Sequence, residues 1–195
     1  MKKLLVIAAA ILSFSAVNAQ VAYVGYQNVP GTRKVTVANS TTTYKYSNSG
    51  FFLGGAMNFE IADALGIQPG LEVSYFGRTD TPLGVDDKFS MWGINIPIDV
   101  NYGFELSSDF KLNVYAGPSL YIGLAYNDKV NNTTYDWYGD EYSRFGLGLG
   151  MGAWCDIKDV VRVKIGYDLG LLNRAKKDDI TYKENAFMFS VGYLF

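Results

Sequence analysis

The sequence predicts an all-β protein, an eight-stranded antiparallel up-and-down transmembrane β-barrel, that follows an N-terminal export signal. Three observations support this prediction. Large apolar residues alternate with small or polar residues along unusually long segments. Short and long connections between these segments take turns along the chain. The chain also ends on an alternating segment whose last residue is the aromatic Phe195.

The N-terminus has the layout of a secretory signal peptide. Lys2 and Lys3 precede an apolar run over residues 4–14, and Val17 and Ala19 occupy the −3 and −1 positions before Gln20. A transmembrane helix would need about 20 apolar residues. We therefore interpret residues 1–19 as a cleavable signal and residues 20–195 as one outer-membrane barrel domain.

Composition excludes several classes of function. The formal net charge is only −2 and no basic tract is present, which argues against a nucleic-acid partner. The single Cys155 cannot form an intramolecular disulfide. The chain has no histidine, so Ser-His-Asp catalysis and histidine-ligated zinc sites are excluded. We expect no enzymatic activity, no cofactor and no metal site.

The alternation is clearest in residues 111–126. One face of this segment carries residues such as Leu112 and Leu120, while the other carries Tyr115 and Ser119. Such a pattern predicts a strand, and this one is longer than strands of most soluble domains. The pattern recurs in residues 92–103, 144–153, 161–171 and 187–195, and less cleanly near 21–28, 51–60 and 67–78. These segments give eight strands in total, and we expect the first to be short.

One face of the predicted strands is almost purely large and apolar, whereas the other is small, polar or charged. Eight strands enclose an interior only just wide enough for side chains, so the bulky face is expected outside, against lipid. A soluble barrel with that face inside is the alternative. Aromatic residues near the strand ends suit the interfacial girdles of a membrane barrel; they are Trp92, Tyr102, Tyr126, Phe145 and Tyr193.

The connections also indicate an orientation. Short ones are predicted near residues 61–66, 105–110 and 157–159, and long ones near 29–49, 79–88, 127–142 and 174–184. Outer-membrane barrels have short periplasmic turns and long external loops. We therefore expect a bacterial outer-membrane protein with both termini in the periplasm and its long loops outside the cell.

The C-terminal strand ends with Tyr193 and Phe195 on its apolar face. This ending resembles the signal by which the outer-membrane assembly machinery recognises its substrates. An ordinary apolar edge strand at this place would favour aggregation unless the barrel closes. We expect these two residues to act as the assembly signal. The expected partners of a monomeric barrel are that machinery, outer-membrane lipids and lipopolysaccharide, with an envelope protein as a further candidate.

Several motifs resemble the PorT-like family of small outer-membrane β-barrels. They are Ile96-Pro97 followed by Tyr102, then Ala116-Gly117-Pro118, then Tyr167-x-x-Gly170-Leu171-x-Asn173, and the aromatic end. The chain departs from the family at Asn101, where a basic residue would be expected. The resemblance implies a small monomeric barrel and no particular biochemical role.

Five charged residues on the polar faces are predicted to form an ionic network inside the barrel: Glu72, Asp99, Arg162, Lys164 and Asp168. Unpaired charges in so narrow an interior would be costly. We expect Lys164 to contact Glu72 or Asp99, with Arg162 one layer nearer the periplasm. The functional alternative is a narrow ion path or a proton-handling pair of carboxylates.

The glycines of residues 146–152 have strict period two and precede no helix, unlike a phosphate-binding loop. They are expected to leave room for the inward Tyr115 and Tyr121. These expectations favour a non-enzymatic barrel with a filled interior and a structural, adhesive or envelope-assembly role. The alternatives are a membrane-embedded lipid- or peptide-modifying enzyme and a narrow transport channel.

Overall fold

Ten strand segments form a closed antiparallel barrel with eight strand positions, and we call each position a stave. The computed structural model describes residues 20–38, 40–80, 87–130, 133–135, 138 and 141–195. The strands are β1 (Val21–Val37), β2 (Ser40–Ala56), β3 (Phe59–Ala62), β4 (Leu65–Asp80), β5 (Asp87–Ser107), β6 (Phe110–Val130), β7 (Thr133–Tyr135), β8 (Phe145–Ile157), β9 (Val161–Gly170) and β10 (Ile180–Leu194). Both β2 and β3 pair with β4 and share one stave, while β7 only extends the edge of β6.

The barrel closes between the first and last strands. β1 pairs antiparallel with β10 from Val21–Leu194 to Val35–Ile180. Every other stave pairs with its neighbours in the chain, which is the up-and-down order. The predicted eight-stranded barrel is confirmed. The proposed signal, residues 1–19, lies outside the described residues.

The two ends of the barrel differ. At one end, tight turns follow β3, β5 and β8, and the two chain termini meet, since Phe195 N donates to Gln20 O at 3.0 Å. We call this the short-turn end. The opposite long-hairpin end carries the remaining connections. The three short connections are therefore at one end, as predicted, whereas parts of the predicted long connections at 79–88 and 127–142 lie outside the described residues.

Burial shows which face points outward. Along β8, Leu147, Leu149 and Met151 are 37–39% exposed, while Gly148 and Gly150 between them are buried. Large apolar residues are exposed on the outer face all around the barrel, so the alternative of a soluble barrel with that face inside is wrong. A Cβ atom added to Gly152 would lie 2.8 Å from the Tyr115 hydroxyl, so this glycine makes room for that inward ring.

Tyr126 is the exception among the predicted girdle residues. Trp92 pairs with Ala125 and Gly93 pairs with Gly123, so Leu124 is an extra residue that forms a β-bulge. The bulge reverses the alternation beyond it. Tyr126 therefore points into the barrel, where its ring lies 4.9 Å from that of Phe89. The prediction that Tyr126 belongs to an outer girdle is wrong.

The predicted long loop at residues 29–49 is also wrong, as is the prediction of a short first strand. β1 and β2 each continue for 17 residues and form a ribbon that separates from β4 beyond Ser49. Its turn includes Ala38, whose φ of 45° is left-handed. Hydroxyl-rich residues here looked like a loop, but threonine and tyrosine favour extended structure. Within the described ranges, no helix is both long and apolar enough to cross a membrane.

Candidate functional site

The middle of the lumen is crossed by one ion pair. Lys164 on β9 donates to Asp99 on β5 with Nζ to Oδ2 at 2.8 Å, and the lysine ammonium lies 4.1 Å from the centre of the Tyr115 ring. Two staves, β6 and β8, separate β9 from β5, so this contact spans the interior instead of joining neighbours. Asp99 is 3% exposed, which makes the ammonium its main source of charge compensation.

Arg162 occupies the next layer toward the short-turn end. It contacts Asp156 with two hydrogen bonds, Nε to Oδ1 at 2.6 Å and Nη2 to Oδ2 at 2.9 Å. A third, from Nη1, reaches Gln68 across the barrel at 3.1 Å, and the guanidinium stacks 4.5 Å from the Trp154 ring centre. This bidentate pairing is stronger than a single hydrogen bond between an arginine and a carboxylate. Sequence reasoning missed Asp156 because it ended this strand at Ala153.

Glu72 and Asp168 have neutral partners. The Tyr23 hydroxyl donates to Glu72 Oε1 at 3.0 Å and Asn95 Nδ2 donates to Oε2 at 2.8 Å. The Ser119 hydroxyl donates to Asp168. Among the described residues neither carboxylate has a cation within ion-pair distance. The structure therefore brings Lys164 to Asp99, gives Arg162 a separate partner, and leaves the other two predicted residues to hydroxyl and amide donors.

A small cavity lies on the long-hairpin side of the layer that contains Glu72 and Asp168. Its volume is about 100 Å³, and its polar lining includes Gln27, Glu72, Ser119 and Asp168. Gln27 is 6% exposed, and its Nε2 has no hydrogen-bond partner in the described structure. A cavity of this size with several polar groups on its wall has room for ordered water.

A second charged layer closes the lumen toward the long-hairpin end. Arg174 Nη1 donates to Glu184 Oε2 at 3.1 Å, and the Arg174 guanidinium lies 4.4 Å from the Tyr142 ring centre. The hydroxyls of Tyr142 and Tyr46 also donate to Glu184. Burial raises the pKa of the Tyr142 hydroxyl, so this group stays protonated and remains a donor. Sequence reasoning missed this layer because residues 174–184 were predicted to be a loop.

Buried apolar and aromatic residues pack around the second layer. They are Val29, Phe76, Phe89, Met91, Tyr138 and Tyr142, with Tyr121 and Tyr126 against them. At the opposite end, Val21, Tyr23, Phe52 and Ala56 form a separate cluster. Apart from the central cavity, the described interior is thus filled by alternating charged and aromatic layers.

The two residues proposed as an assembly signal lie on the outer surface at the short-turn end. Tyr193 is 55% exposed and Phe195 is 71% exposed, and their ring centres are 5.2 Å apart. In the part of the chain that the structure describes, no group of three or more Cys, Asp or Glu residues is arranged to hold a metal ion.

A narrow closed barrel with an apolar outer surface and a polar interior defines a small outer-membrane β-barrel. The model of the family described as "Outer membrane protein beta-barrel domain" matches residues 5–195. The chain belongs to this family, which places it in the bacterial outer membrane.

Several solved structures are similar to this chain at low sequence identity, and the first of them shows the same fold. Neisserial surface protein A is 14% identical with a TM-score of 0.54, over 89% of this chain and 97% of that one. OprG from Pseudomonas aeruginosa is 11% identical with a TM-score of 0.47, over 91% and 97%. Ail, the attachment invasion locus protein of Yersinia pestis, is 12% identical with a TM-score of 0.39, over 91% and 99%. No curated protein matches the chain.

Proposed function

We propose that the protein is a non-enzymatic, sealed barrel that anchors its long hairpins in the outer membrane for a structural, adhesive or envelope-assembly role. The observation that supports this most is the filled lumen. The Arg162, Lys164 and Arg174 layers follow one another along the barrel axis, and each is anchored to a carboxylate by a hydrogen bond of 3.1 Å or less.

The same interior argues against catalysis on a large substrate. The cavity that borders both Glu72 and Asp168 has a volume of about 100 Å³. Pockets for drug-sized ligands are commonly about 300–1,000 Å³, so a lipid or peptide would not fit. The absence of histidine from the chain removes the usual general base as well.

The proposal includes an orientation and partners. The short-turn end with both termini faces the periplasm, and the long-hairpin end faces outward, as in other barrels of this type. The exposed Tyr193 and Phe195 present the assembly signal to the outer-membrane assembly machinery. Lipids and lipopolysaccharide surround the outer apolar face of a monomer. Within its family, we place the chain nearest to the PorT-like members on the motifs around Pro97, Pro118 and Asn173.

Reconstitution tests the sealed barrel. Purified protein in phospholipid vesicles should release no trapped small solutes and should give no stable conductance in planar bilayers, whereas a porin in the same vesicles serves as the positive control. Lipopolysaccharide and phospholipids incubated with the protein should keep their masses. Reproducible solute release would reject the filled lumen, and a modified lipid would reject the non-enzymatic role.

A narrow cation path is the second candidate. It is favoured by one observation, that Glu72 and Asp168 border the central cavity and make no ion pair with a described residue. Such a path would give a small cation-selective current that Asp168→Asn reduces, while neutral solutes would still be retained. The sealed barrel predicts no current in either protein.

A further inference from the structure

The β1–β2 ribbon has one free edge. β2 pairs with β1 along its whole length, from Val21–Ala56 to Val37–Ser40, but with β4 only from Ala56–Gly70 to Ser49–Gly77. Within the described chain, no strand pairs with residues 40–48 on the side away from β1. In an antiparallel ladder, alternate residues direct their N–H and C=O groups away from the partner strand. The edge at residues 40–48 therefore presents unpaired backbone donors and acceptors.

This edge lacks most of the features that protect natural edge strands. Such edges are commonly short, bulged, interrupted by proline, or rich in charge. Residues 40–48 contain neither proline nor glycine, and the pairing of β2 with β1 has no register shift. The residues are mostly threonine, serine and tyrosine, which suit a strand, and Lys45 is the single charge among them. The edge can accept another strand without rearrangement.

There is open space beside this edge. A cavity of about 550 Å³ begins where β2 and β4 separate, next to Ser49 and Gly77. Three cationic residues also line it, namely Arg78, Lys88 and Lys129. A further cavity of about 720 Å³ lies on the inner side of the ribbon, where Arg33 and Tyr46 face a wall that includes the acidic residues Asp128, Glu141 and Glu184. Side chains of an added strand could enter both spaces.

The charge of the ribbon indicates what would bind there. Residues 20–59 contain Arg33, Lys34 and Lys45 and no acidic residue, although the whole chain has a formal charge of −2. Arg33 makes no ion pair with a described residue; its guanidinium lies 5.5 Å from the Tyr182 ring centre, and its buried Nε has no hydrogen-bond partner there. Where β2 and β4 separate, the described lining carries cations and no acidic side chain, and this favours an acidic partner at that side of the edge.

We propose that residues 40–48 bind an extended, acidic segment of a partner protein as an additional β-strand. Backbone pairing supplies the affinity and the surrounding cations select for acidic side chains, as in other cases of strand addition. Lipopolysaccharide phosphates would use the cations but leave the backbone edge unpaired, so the edge favours a polypeptide. The inference deepens the proposed adhesive or assembly role and rests on the ribbon being free of the bilayer.

The test uses the purified full chain and a fluorescent eight-residue peptide of alternating glutamate and valine. Binding measured by anisotropy should saturate. The backbone nitrogens that would face β2 are every second one in the peptide. Methylation of these nitrogens should weaken binding by about tenfold or more, because each lost hydrogen bond contributes about 1 kcal/mol. Amide exchange in residues 40–48 should slow when the unmodified peptide binds.

Two charge reversals complete the test. Lys45→Glu on the free edge should weaken binding about threefold to tenfold, whereas Lys158→Glu, which makes the same charge change at the short-turn end, should leave binding unchanged. Absence of peptide binding would overturn the proposal. The proposal would also be overturned if the N-methylated peptide bound as tightly as the unmodified peptide. The same holds if Lys45→Glu weakened the binding of lipopolysaccharide micelles but not that of the peptide. Solute retention by vesicles is a separate measurement, so failure here leaves the sealed barrel standing.

Discussion

Lys164→Met is the change that most directly perturbs the interior. The side chains of Lys164 and Asp99 are 15% and 4% exposed, and their charged atoms are 2.8 Å apart. Without the lysine, the buried carboxylate of Asp99 has no ion-pair partner among the described residues. Removing one member of a buried pair costs about 3–5 kcal/mol. We expect the free energy of unfolding to fall by that amount, because methionine replaces the volume but not the charge.

The second substitution Asp99→Asn identifies the cause. It removes the uncompensated charge, so the double variant should recover most of the loss, with a coupling energy of about 2–3 kcal/mol between the two positions. Glu72→Gln in the Lys164→Met background should recover less, since Glu72 bonds to Tyr23 and Asn95 and not to Lys164.

Urea unfolding in phospholipid vesicles, followed by tryptophan fluorescence and by the gel mobility of the folded barrel, measures these values. Lys183→Met is the matched control, because Lys183 is an exposed lysine on the outer face of β10, and its loss should change stability by no more than about 0.5 kcal/mol. The reasoning is refuted if Lys164→Met is as stable as the wild type, or if the effects of Lys164→Met and Asp99→Asn simply add.

Three further predictions test packing, the lipid face and orientation. A Cβ at Gly152 would lie 2.2 Å from Ile165 O, whereas one at Gly150 meets nothing closer than 3.6 Å. Gly152→Ala should therefore lower stability by about 1–3 kcal/mol in the same unfolding assay and Gly150→Ala should not; equal effects would contradict the packing. Leu120→Arg should cost about 2–4 kcal/mol and deplete folded protein from the membrane fraction, and normal levels would argue against lipid at that face. In a cysteine-free background, Thr43→Cys should react with an impermeant reagent on intact cells and Ser107→Cys should not; the reverse result would invert the orientation.

The outline of the barrel could be predicted because lipid outside and a narrow interior impose the same alternation on every stave. Residues such as Leu147 and Gly148 show it without ambiguity. The alternation fails where the ladder gains a residue, and Leu124 has no property that distinguishes it from its neighbours. The inward position of Tyr126 therefore depends on pairing with β5, which only the three-dimensional structure reveals.

The ionic contacts could be predicted only in part, for a similar reason. Polar faces identify which charges point inward, but the stagger between distant staves decides which of them meet. Glu72 and Asp99 lie at similar distances from the turns, so the sequence predicts either of them as the partner of Lys164. In the structure the partner is Asp99. Arg174 and Glu184 lie in a segment with no clear period, so their contact across the second layer had no signal in the sequence.

Spin labels along β6 test the central claim most directly, because they report what surrounds each outward side chain. Labels placed one at a time at Val114, Ala116, Leu120 and Ile122 in protein reconstituted in vesicles should all be accessible to oxygen, which dissolves in lipid, and shielded from a water-soluble nickel complex. A label at Ala125, beyond the bulge, should remain on the outer face. High nickel accessibility at Leu120 and its neighbours would mean that this face meets water, and would contradict a barrel that presents its apolar side chains to the membrane.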